Sequence, residues 1–413
     1  MTRRATKTFS VLWFGQFAAT AGLTILVPLT PFYLTDLGVR DGALSAWTGV
    51  SVAAPAVTYV LTGPIWGRLG DRYGPKSMVL RAYLGLAIAV AAMALAQTPL
   101  QFLLCRLAQG AFGGVAGATT TYAASIADDQ QHGRMFGWLS NSTAVGALVG
   151  PLVGSVAVNW FGYSALFTAT AALLLIACVL SATTLPNTSM TAANLENRWS
   201  EGVASAVAVL RRKPLLPLIV AAILADSAVF GLVVVFAPRL SAITGSTASA
   251  IMWVGLLQAL TWAGAAVIGP WWGRRNDRRD GGESFALASG MCAVAISLQS
   301  VAPTPLLMAP LRLVQGCSSA AFDQSVMHTV CRTVPNHIRG TAIGTTTALV
   351  GIGQIAGPLI AAVVATTVGI TATFLVLALL VGIAAAISLA AGRVASDSAV
   401  VSGREPTAHE ARQ

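Results

Sequence analysis

Charged residues are scarce in this 413-residue chain: Asp, Glu, Lys and Arg together make up 10% of it. A soluble domain carries about 25% charged residues. Apolar stretches long enough to cross a bilayer as helices recur along the whole sequence, and the mean hydropathy is +0.72. The composition therefore excludes an ordinary soluble protein and predicts an all-α membrane protein.

Catalytic and metal-binding patterns are missing as well. The sequence has no Walker phosphate loop, no HExxH and no serine in a GxSxG setting. Its five cysteines show neither metal-ligand spacing nor a disulfide framework. We therefore predict that the chain is not an enzyme and that it holds no metal and no cofactor.

One sequence unit occurs twice, 206 positions apart. Residues 63–73 (GPIWGRLGDRY) match residues 269–279 (GPWWGRRNDRR) at seven positions, and residues 106–110 (RLAQG) match residues 312–316 (RLVQG). A third block, of glycines and a proline, repeats at an offset of 207. Repeated halves in a membrane protein are typical of transporters, in which the halves move against each other around a central site.

Hydrophobicity divides the chain into twelve predicted membrane spans, six on each side of a polar stretch. The predicted spans are 11–34, 47–66, 77–97, 100–123, 136–158, 163–184, 214–237, 247–271, 284–302, 304–326, 341–366 and 369–391. We predict two pseudo-symmetric six-helix halves, at 1–184 and 214–391, with a cytoplasmic linker at 185–213. A disordered cytoplasmic tail is predicted at 392–413.

Basic residues are distributed unevenly between the two sides of the membrane. With the N-terminus inside, 21 of the 25 Lys and Arg residues fall in cytoplasmic segments or, for Arg81, at the cytoplasmic end of a predicted span. This positive-inside bias predicts a multi-pass protein of the cytoplasmic (inner) membrane with both termini in the cytoplasm. Because the net charge of +10 is scattered over loops, we predict no nucleic-acid partner.

The loop between the second and third spans carries a family motif. Its sequence, GRLGDRYGPK at 67–76, resembles the loop signature of the major facilitator superfamily, although the family usually has an arginine in place of Pro75. The resemblance implies a cytoplasmic latch, and the alternative is that its cations are only topogenic anchors. The second copy, at 269–279, lacks the last glycine and is predicted to be a structural relic. The predicted latch residues are Gly67, Asp71, Arg72, Gly74 and Lys76.

Two further motifs narrow the resemblance, which covers the whole chain. The pattern of Gly146, Gly150, Pro151 and Gly154 in the fifth span resembles the motif of the superfamily's antiporters. Residues 28–34 (PLTPFYL) resemble the end of the first helix in the twelve-helix drug:proton antiporters. The small residues predict close packing at the interface between the halves, and the alternative is ordinary packing of small residues between helices. The resemblance implies proton-coupled antiport.

Two arginines lie inside predicted spans at matching repeat positions. Because a guanidinium is costly in lipid, Arg106 and Arg312 are predicted to face the bundle interior or a water-filled cavity. Gln109 lies one helical turn beyond Arg106 and shares its face. The resemblance associates Arg106 with proton coupling, and the alternative is that it only ties helices together.

Asp226 is the one carboxylate predicted near the bilayer midplane. Burial away from water favours the neutral form of a carboxyl group, which suits a proton carrier. Two other roles stay open, a partner for a cationic substrate and a counter-ion to Arg106 or Arg312. Asp323, nearer the cytoplasmic end of the tenth span, is predicted to be structural.

These features predict a proton-coupled antiporter for the efflux of small organic compounds, in first place drugs or toxic compounds. Its predicted partners are a small-molecule substrate, protons and the lipid bilayer, and we expect a monomer. The first alternative is an exporter of a specific metabolite such as a siderophore, sugar or amino-acid derivative, which buried arginines suit if the cargo is anionic. A membrane sensor is the second, and it would need a large soluble domain that no segment is long enough to form.

Overall fold

The computed structural model describes residues 3–126, 132–187, 215–335 and 339–401. These ranges contain helices and no strands. The helices are α1 (Arg3–Asp36), α2 (Asp41–Tyr73), α3 (Pro75–Ala94), α4 (Pro99–Ala111), α5 (Val115–Ile126), α6 (His132–Thr184), α7 (Leu215–Thr244), α8 (Thr247–Arg278), α9 (Gly281–Val301), α10 (Pro305–Thr333), α11 (Arg339–Val350), α12 (Ile352–Thr367) and α13 (Ile370–Val401).

These helices form the twelve predicted spans, which are confirmed. α6 holds the fifth and sixth spans, which meet at Gly162, where φ is 76°. The fourth span consists of α4 and α5, with Gly114 at a φ of 88° between them, and the eleventh of α11 and α12. By length and apolar composition alone, nine stretches of the described residues qualify as spans. The broken fourth span and the more polar α10 are missed on that basis, and α6 counts once instead of twice.

The predicted linker and tail lie mostly outside the described residues. The linker at 185–213 falls largely on 188–214, and the described part of the chain ends at Val401. The domain boundaries therefore stay predictions. One difference is visible at the C-terminus, where α13 continues past the predicted end of the twelfth span, because the Ala- and Val-rich sequence after Gly392 contains no further helix breaker.

Each half has an apolar core, and the largest contacts between the halves are made by two pairs of helices. α2 packs against α12, where Gly49 lies against the Pro358 carbonyl and the Ala362 side chain. α6 packs against α8, where Gly255 lies against the Pro151 carbonyl. In both pairs the glycine provides the close approach, since a Cβ at either position would meet the backbone of the other half.

The contacts between the halves extend to one end of the bundle. Near the start of α8, the Asn159 side chain donates a hydrogen bond of 3.0 Å to the Ala248 carbonyl. Ile25, Leu29 and Phe32 of α1 join the apolar core of the second half. All these residues lie toward the end of the bundle where α2 and α8 begin, which we call the outer end.

The repeat in the sequence is also a repeat in three dimensions. The Trp66 indole N–H donates to the Ala111 carbonyl at 2.6 Å, and the Trp272 indole N–H donates to the Cys317 carbonyl at 2.7 Å, 206 positions later. α4 and α10 also begin alike, each with a threonine side chain that accepts a hydrogen bond from a backbone N–H of the first turn. The two halves are therefore copies of one helical scaffold.

The fourth span is broken where the tenth is continuous. Between α4 and α5, the carbonyls of Phe112 and Gly113 accept hydrogen bonds of 3.3 Å from Arg81 of α3. The Arg81 guanidinium also lies 3.9 Å from the ring centroid of Trp66. Carbonyls at a helix end lack helical partners, so Arg81 stabilises this break.

Candidate functional site

Asp226 lies on α7, about 16 Å along the helix axis from Leu215. Its side chain is partly buried, the backbone of Gly353 on α12 packs against its Cβ, and no ion pair reaches it among the described residues. Asp323 lies at a similar depth on α10, about 15 Å from Thr333, and α10 packs against α7. The second half therefore holds two carboxylates at one depth on two packed helices.

Neither buried arginine serves as the counter-ion that the sequence left open for Asp226. Arg312 and Asp323 are separated by about 16 Å along α10, and Arg312 is the nearer of the two to the outer end. Arg106 occupies the matching position on α4. The helices thus hold the arginines and the carboxylates at different depths, and no salt bridge joins them within the described ranges.

Arg106 is buried on α4, with 2% of its surface exposed. Its Nε donates to the Ser51 carbonyl of α2 at 2.9 Å, and its Nη1 donates to Gln109 Oε1 at 2.6 Å. Gln109 is buried too, as the shared helix face predicts. These contacts tie α4 to α2, and the part of Arg106 in proton coupling stays a prediction.

Arg312 is buried on α10, with 3% of its surface exposed, inside a cluster of glutamines. Its Nη1 donates to Gln315 Oε1 at 3.0 Å, and its Nη2 lies 3.5 Å from Gln258 Oε1. Gln299 donates to the same Gln315 oxygen at 3.0 Å. The guanidinium carbon lies 3.5 Å from the ring centroid of Phe236. Both arginines face the interior of the bundle, where neutral groups surround them.

The loop motif forms the predicted tight turn. Gly74, with a φ of 81°, links α2 to α3 and donates to the Gly70 carbonyl. Lys76 Nζ donates to the Ala182 carbonyl at 3.0 Å, and Arg72 lies over the ring of the adjacent Tyr73. Asp71 is exposed and makes no ion pair within the described residues. The latch function of this loop, including Gly67, stays a prediction.

The second copy of the loop has a different environment. Asp277 lies 3.8 Å from Nε2 of His328 on α10, so this acid has a partner within its own half. At the position that corresponds to Gly70, the second copy has Asn276, which is buried. The pattern agrees with a structural role for the second copy.

The glycine stripe of the fifth span packs on a different surface from the predicted one. Gly146 and Gly150 lie against the backbone of α1, and Gly154 lies against Ile25 of the same helix. The prediction that these glycines pack between the halves is therefore wrong, because residues four apart share the helix face that α1 covers. Pro151 lies on the adjacent face and makes the contact with α8 described above.

A polar network on the first half was missed from the sequence. The Thr119 hydroxyl donates to Gln16 Oε1 at 2.9 Å, and Gln16 Nε2 donates to the Thr143 hydroxyl at 3.0 Å. The network joins α1, α5 and α6. Gln258 and Gln299 were missed as well. Polar side chains within otherwise apolar spans were the available signal, because such groups are costly in lipid.

Comparison with known sequences decides the family. A sequence model described as the Major Facilitator Superfamily matches residues 12–281 and 227–411. This chain belongs to the Major Facilitator Superfamily. Members of this family found in the comparisons are membrane transporters, and the prediction that the chain is a transporter and not an enzyme is confirmed.

Two relatives match this chain over most of its length and of theirs. The Staphyloferrin B transporter of Staphylococcus aureus (strain NCTC 8325 / PS 47) is 36% identical over 371 residues, which are 89% of each chain. Multidrug resistance protein MdtG of Enterobacter lignolyticus (strain SCF1) is 29% identical over 378 residues, which are 91% of this chain and 90% of the relative.

Solved structures share the fold. A bacterial homologue of the human lysosomal transporter Spinster, in an inward-facing and occupied conformation, superposes with a TM-score of 0.77 at 14% identity and covers 95% of this chain and 98% of its own. The nucleoside transporter NupG superposes with a TM-score of 0.76 at 18% identity and covers 95% and 99%. The predicted architecture of twelve helices in two halves is confirmed.

Proposed function

We propose that the protein is a proton-coupled antiporter that exports a small organic compound across the cytoplasmic membrane. The observation that carries this proposal is the presence of two carboxylates, Asp226 and Asp323, at one depth on two packed helices of the second half, with no ion pair to Asp226 among the described residues. Two neighbouring negative charges repel each other, and the uptake of a proton relieves the repulsion. Asp226 is the proposed proton carrier, because it lies where α7 meets α12.

The two halves supply the movement that antiport requires. They are in contact toward the outer end through α2 with α12 and α6 with α8, so that rocking about these contacts changes access at the other end. The distribution of Lys and Arg supports an orientation in which that other end and both termini face the cytoplasm. We propose the loop at 67–76 as the latch that closes the cytoplasmic end.

Two classes of cargo are supported by different observations. The relative named for a single compound, staphyloferrin B, is more similar to this chain than the MdtG relatives named for multidrug resistance. Arg312, a buried cation with neutral partners, also favours one anionic metabolite. Multidrug efflux is the second candidate, supported by the MdtG relatives and by aromatic residues such as the stacked pair Trp13 and Phe17.

The proposal is tested in proteoliposomes with staphyloferrin B and tetraphenylphosphonium as two probes. An imposed pH gradient should drive uphill transport of a probe by the wild type, and Asp226→Asn should abolish this uphill transport while downhill exchange continues. Asp36→Asn, at the outer end of α1, is the control and should behave as the wild type. Full proton-driven transport by Asp226→Asn would show that another group carries the proton.

A further inference from the structure

Two polar residues beside Arg312 have apolar counterparts in the first half. Counting back 206 positions, Gln258 corresponds to Val52 and Gln299 to Met93. Val52 and Met93 are buried apolar residues, in agreement with a purely structural role. Because polar groups are costly inside a membrane, their presence in one copy alone indicates a function that the other copy lacks.

Hydrogen bonding around Arg312 is incomplete. Its Nε is buried and has no partner among the described residues, and the same is true of Gln299 Oε1. The contact of Nη2 with Gln258, at 3.5 Å, is long for a hydrogen bond. In the first half the corresponding Arg106 Nε donates to the Ser51 carbonyl at 2.9 Å, and the unpaired atoms on its two partner residues, Gln109 Nε2 and the Ser51 hydroxyl oxygen, are neutral. The Nε of Arg312 thus remains available to donate a hydrogen bond, whereas the Nε of Arg106 already donates one.

The Arg312 cluster lies beside the interface between the halves. Gln258 is partly exposed and lies one helical turn from Gly255 on α8, so both residues share a face. Gly255 contacts α6 of the other half. Substrate sites of transporters built from repeats lie at the interface between those repeats. Gln258, which lies 3.5 Å from Arg312, therefore connects the Arg312 cluster with the helix face at this interface.

We propose that Arg312, together with Gln258 and Gln299, binds a carboxylate group of the cargo, while Arg106 is a structural tie. The proposal rests on the proposed export of a small organic compound. A planar guanidinium binds a planar carboxylate through two parallel hydrogen bonds, and the free Nε with Nη2 provides such a pair. The carboxylate also neutralises a buried cation whose present partners are neutral amides and the face of Phe236.

The experiment measures the thermal unfolding of purified protein with increasing concentrations of glutarate, tricarballylate and citrate. The triamide of tricarballylic acid, which carries no charge, is the neutral control, and tetraphenylphosphonium is the cationic probe. Arg312→Lys keeps the charge but loses the fork, and Arg106→Lys is the matched control from the repeat. Gln258→Val, which copies the first half, tests the site with Arg312 intact.

At least one carboxylate should raise the unfolding temperature of the wild type and of Arg106→Lys, and the amide should not. Arg312→Lys should need about a tenfold higher concentration for the same shift, because a charge-assisted hydrogen bond is lost, and Gln258→Val should be weakened in the same direction. The proposal is overturned if no carboxylate stabilises the wild type, if both lysine variants respond alike, or if only tetraphenylphosphonium stabilises. The assay needs no pH gradient, so its failure is distinct from a failure of proton-driven export.

Discussion

The spans predicted for the first half contain no carboxylate, whereas those of the second half contain Asp226 and Asp323. The scaffold around them is nevertheless shared, since the tryptophan-to-carbonyl hydrogen bonds of Trp66 and Trp272 recur at an offset of 206. Comparison of the two copies distinguishes residues that the fold requires from residues that the transport chemistry requires. Glycines and tryptophans kept in both copies serve packing, and polar residues found in one copy alone mark candidate chemistry.

A second difference between the halves concerns the backbone, and here the charged residue lies in the first half. The fourth span is broken and held by Arg81 of α3, whereas α10 is continuous and Leu287 of α9 stands at the position that corresponds to Arg81. The first half therefore carries a charged residue that stabilises an irregular helix, and the second half carries buried polar residues without such a break. Positions within the repeat provide matched controls for both differences.

The largest expected effect is on the shared scaffold. A Cβ at Gly110 would meet the Pro55 carbonyl, and a Cβ at Gly316 would meet the Thr261 carbonyl, which is the corresponding contact. Gly110→Ala and Gly316→Ala should each destabilise the protein by about 1–3 kcal/mol, since backbone atoms cannot move aside cheaply. Thermal unfolding and the yield of monodisperse protein measure the loss.

Gly137 and Gly344 are the controls for that prediction. Nothing among the described residues lies within 4 Å of a Cβ built at either position. Their alanine variants should be neutral or slightly more stable, because alanine is the better helix former. Equal losses at all four glycines would show that the close contacts at Gly110 and Gly316 are not what makes glycine necessary.

An intermediate effect is expected on transport turnover. Asp71→Ala should slow transport of the probe without reducing expression, because the proposed latch loses its acceptor. Asp277→Ala should slow it less, since Asp277 is paired within its own half with His328 at 3.8 Å. Transport rates in proteoliposomes at equal protein content test the difference. Losses of equal size would mean that the second loop is no relic.

The smallest expected effect concerns the two tryptophans. Trp66→Phe and Trp272→Phe each remove one hydrogen bond to a carbonyl, which costs about 1 kcal/mol. Trp66→Phe should cost slightly more, because Arg81 lies over the Trp66 ring at 3.9 Å and a phenyl ring attracts a cation less strongly. The unfolding temperatures of the two variants measure these two losses of stability. A large difference between them would contradict the shared scaffold.

Hydrophobic length and the internal repeat were sufficient to predict the twelve spans and the two halves. Interior placement of Arg106 and Arg312 also followed from the sequence, because a charge in lipid must find an interior partner. The surface on which Gly146, Gly150 and Gly154 pack did not follow, since a small-residue stripe does not specify its neighbour. The similar depth of Asp226 and Asp323 on neighbouring helices did not follow either, because it depends on how α7 and α10 meet, which no local pattern contains.

The most direct test of the account is whether cargo and proton compete through Asp226. Purified protein in weakly buffered detergent solution is titrated with whichever probe binds, and a pH-sensitive dye reports protons released. Wild type and Asp71→Asn should release protons as the probe binds, and Asp226→Asn should bind the probe and release none. Equal proton release by Asp226→Asn and the wild type would contradict the assignment of Asp226 as the proton carrier.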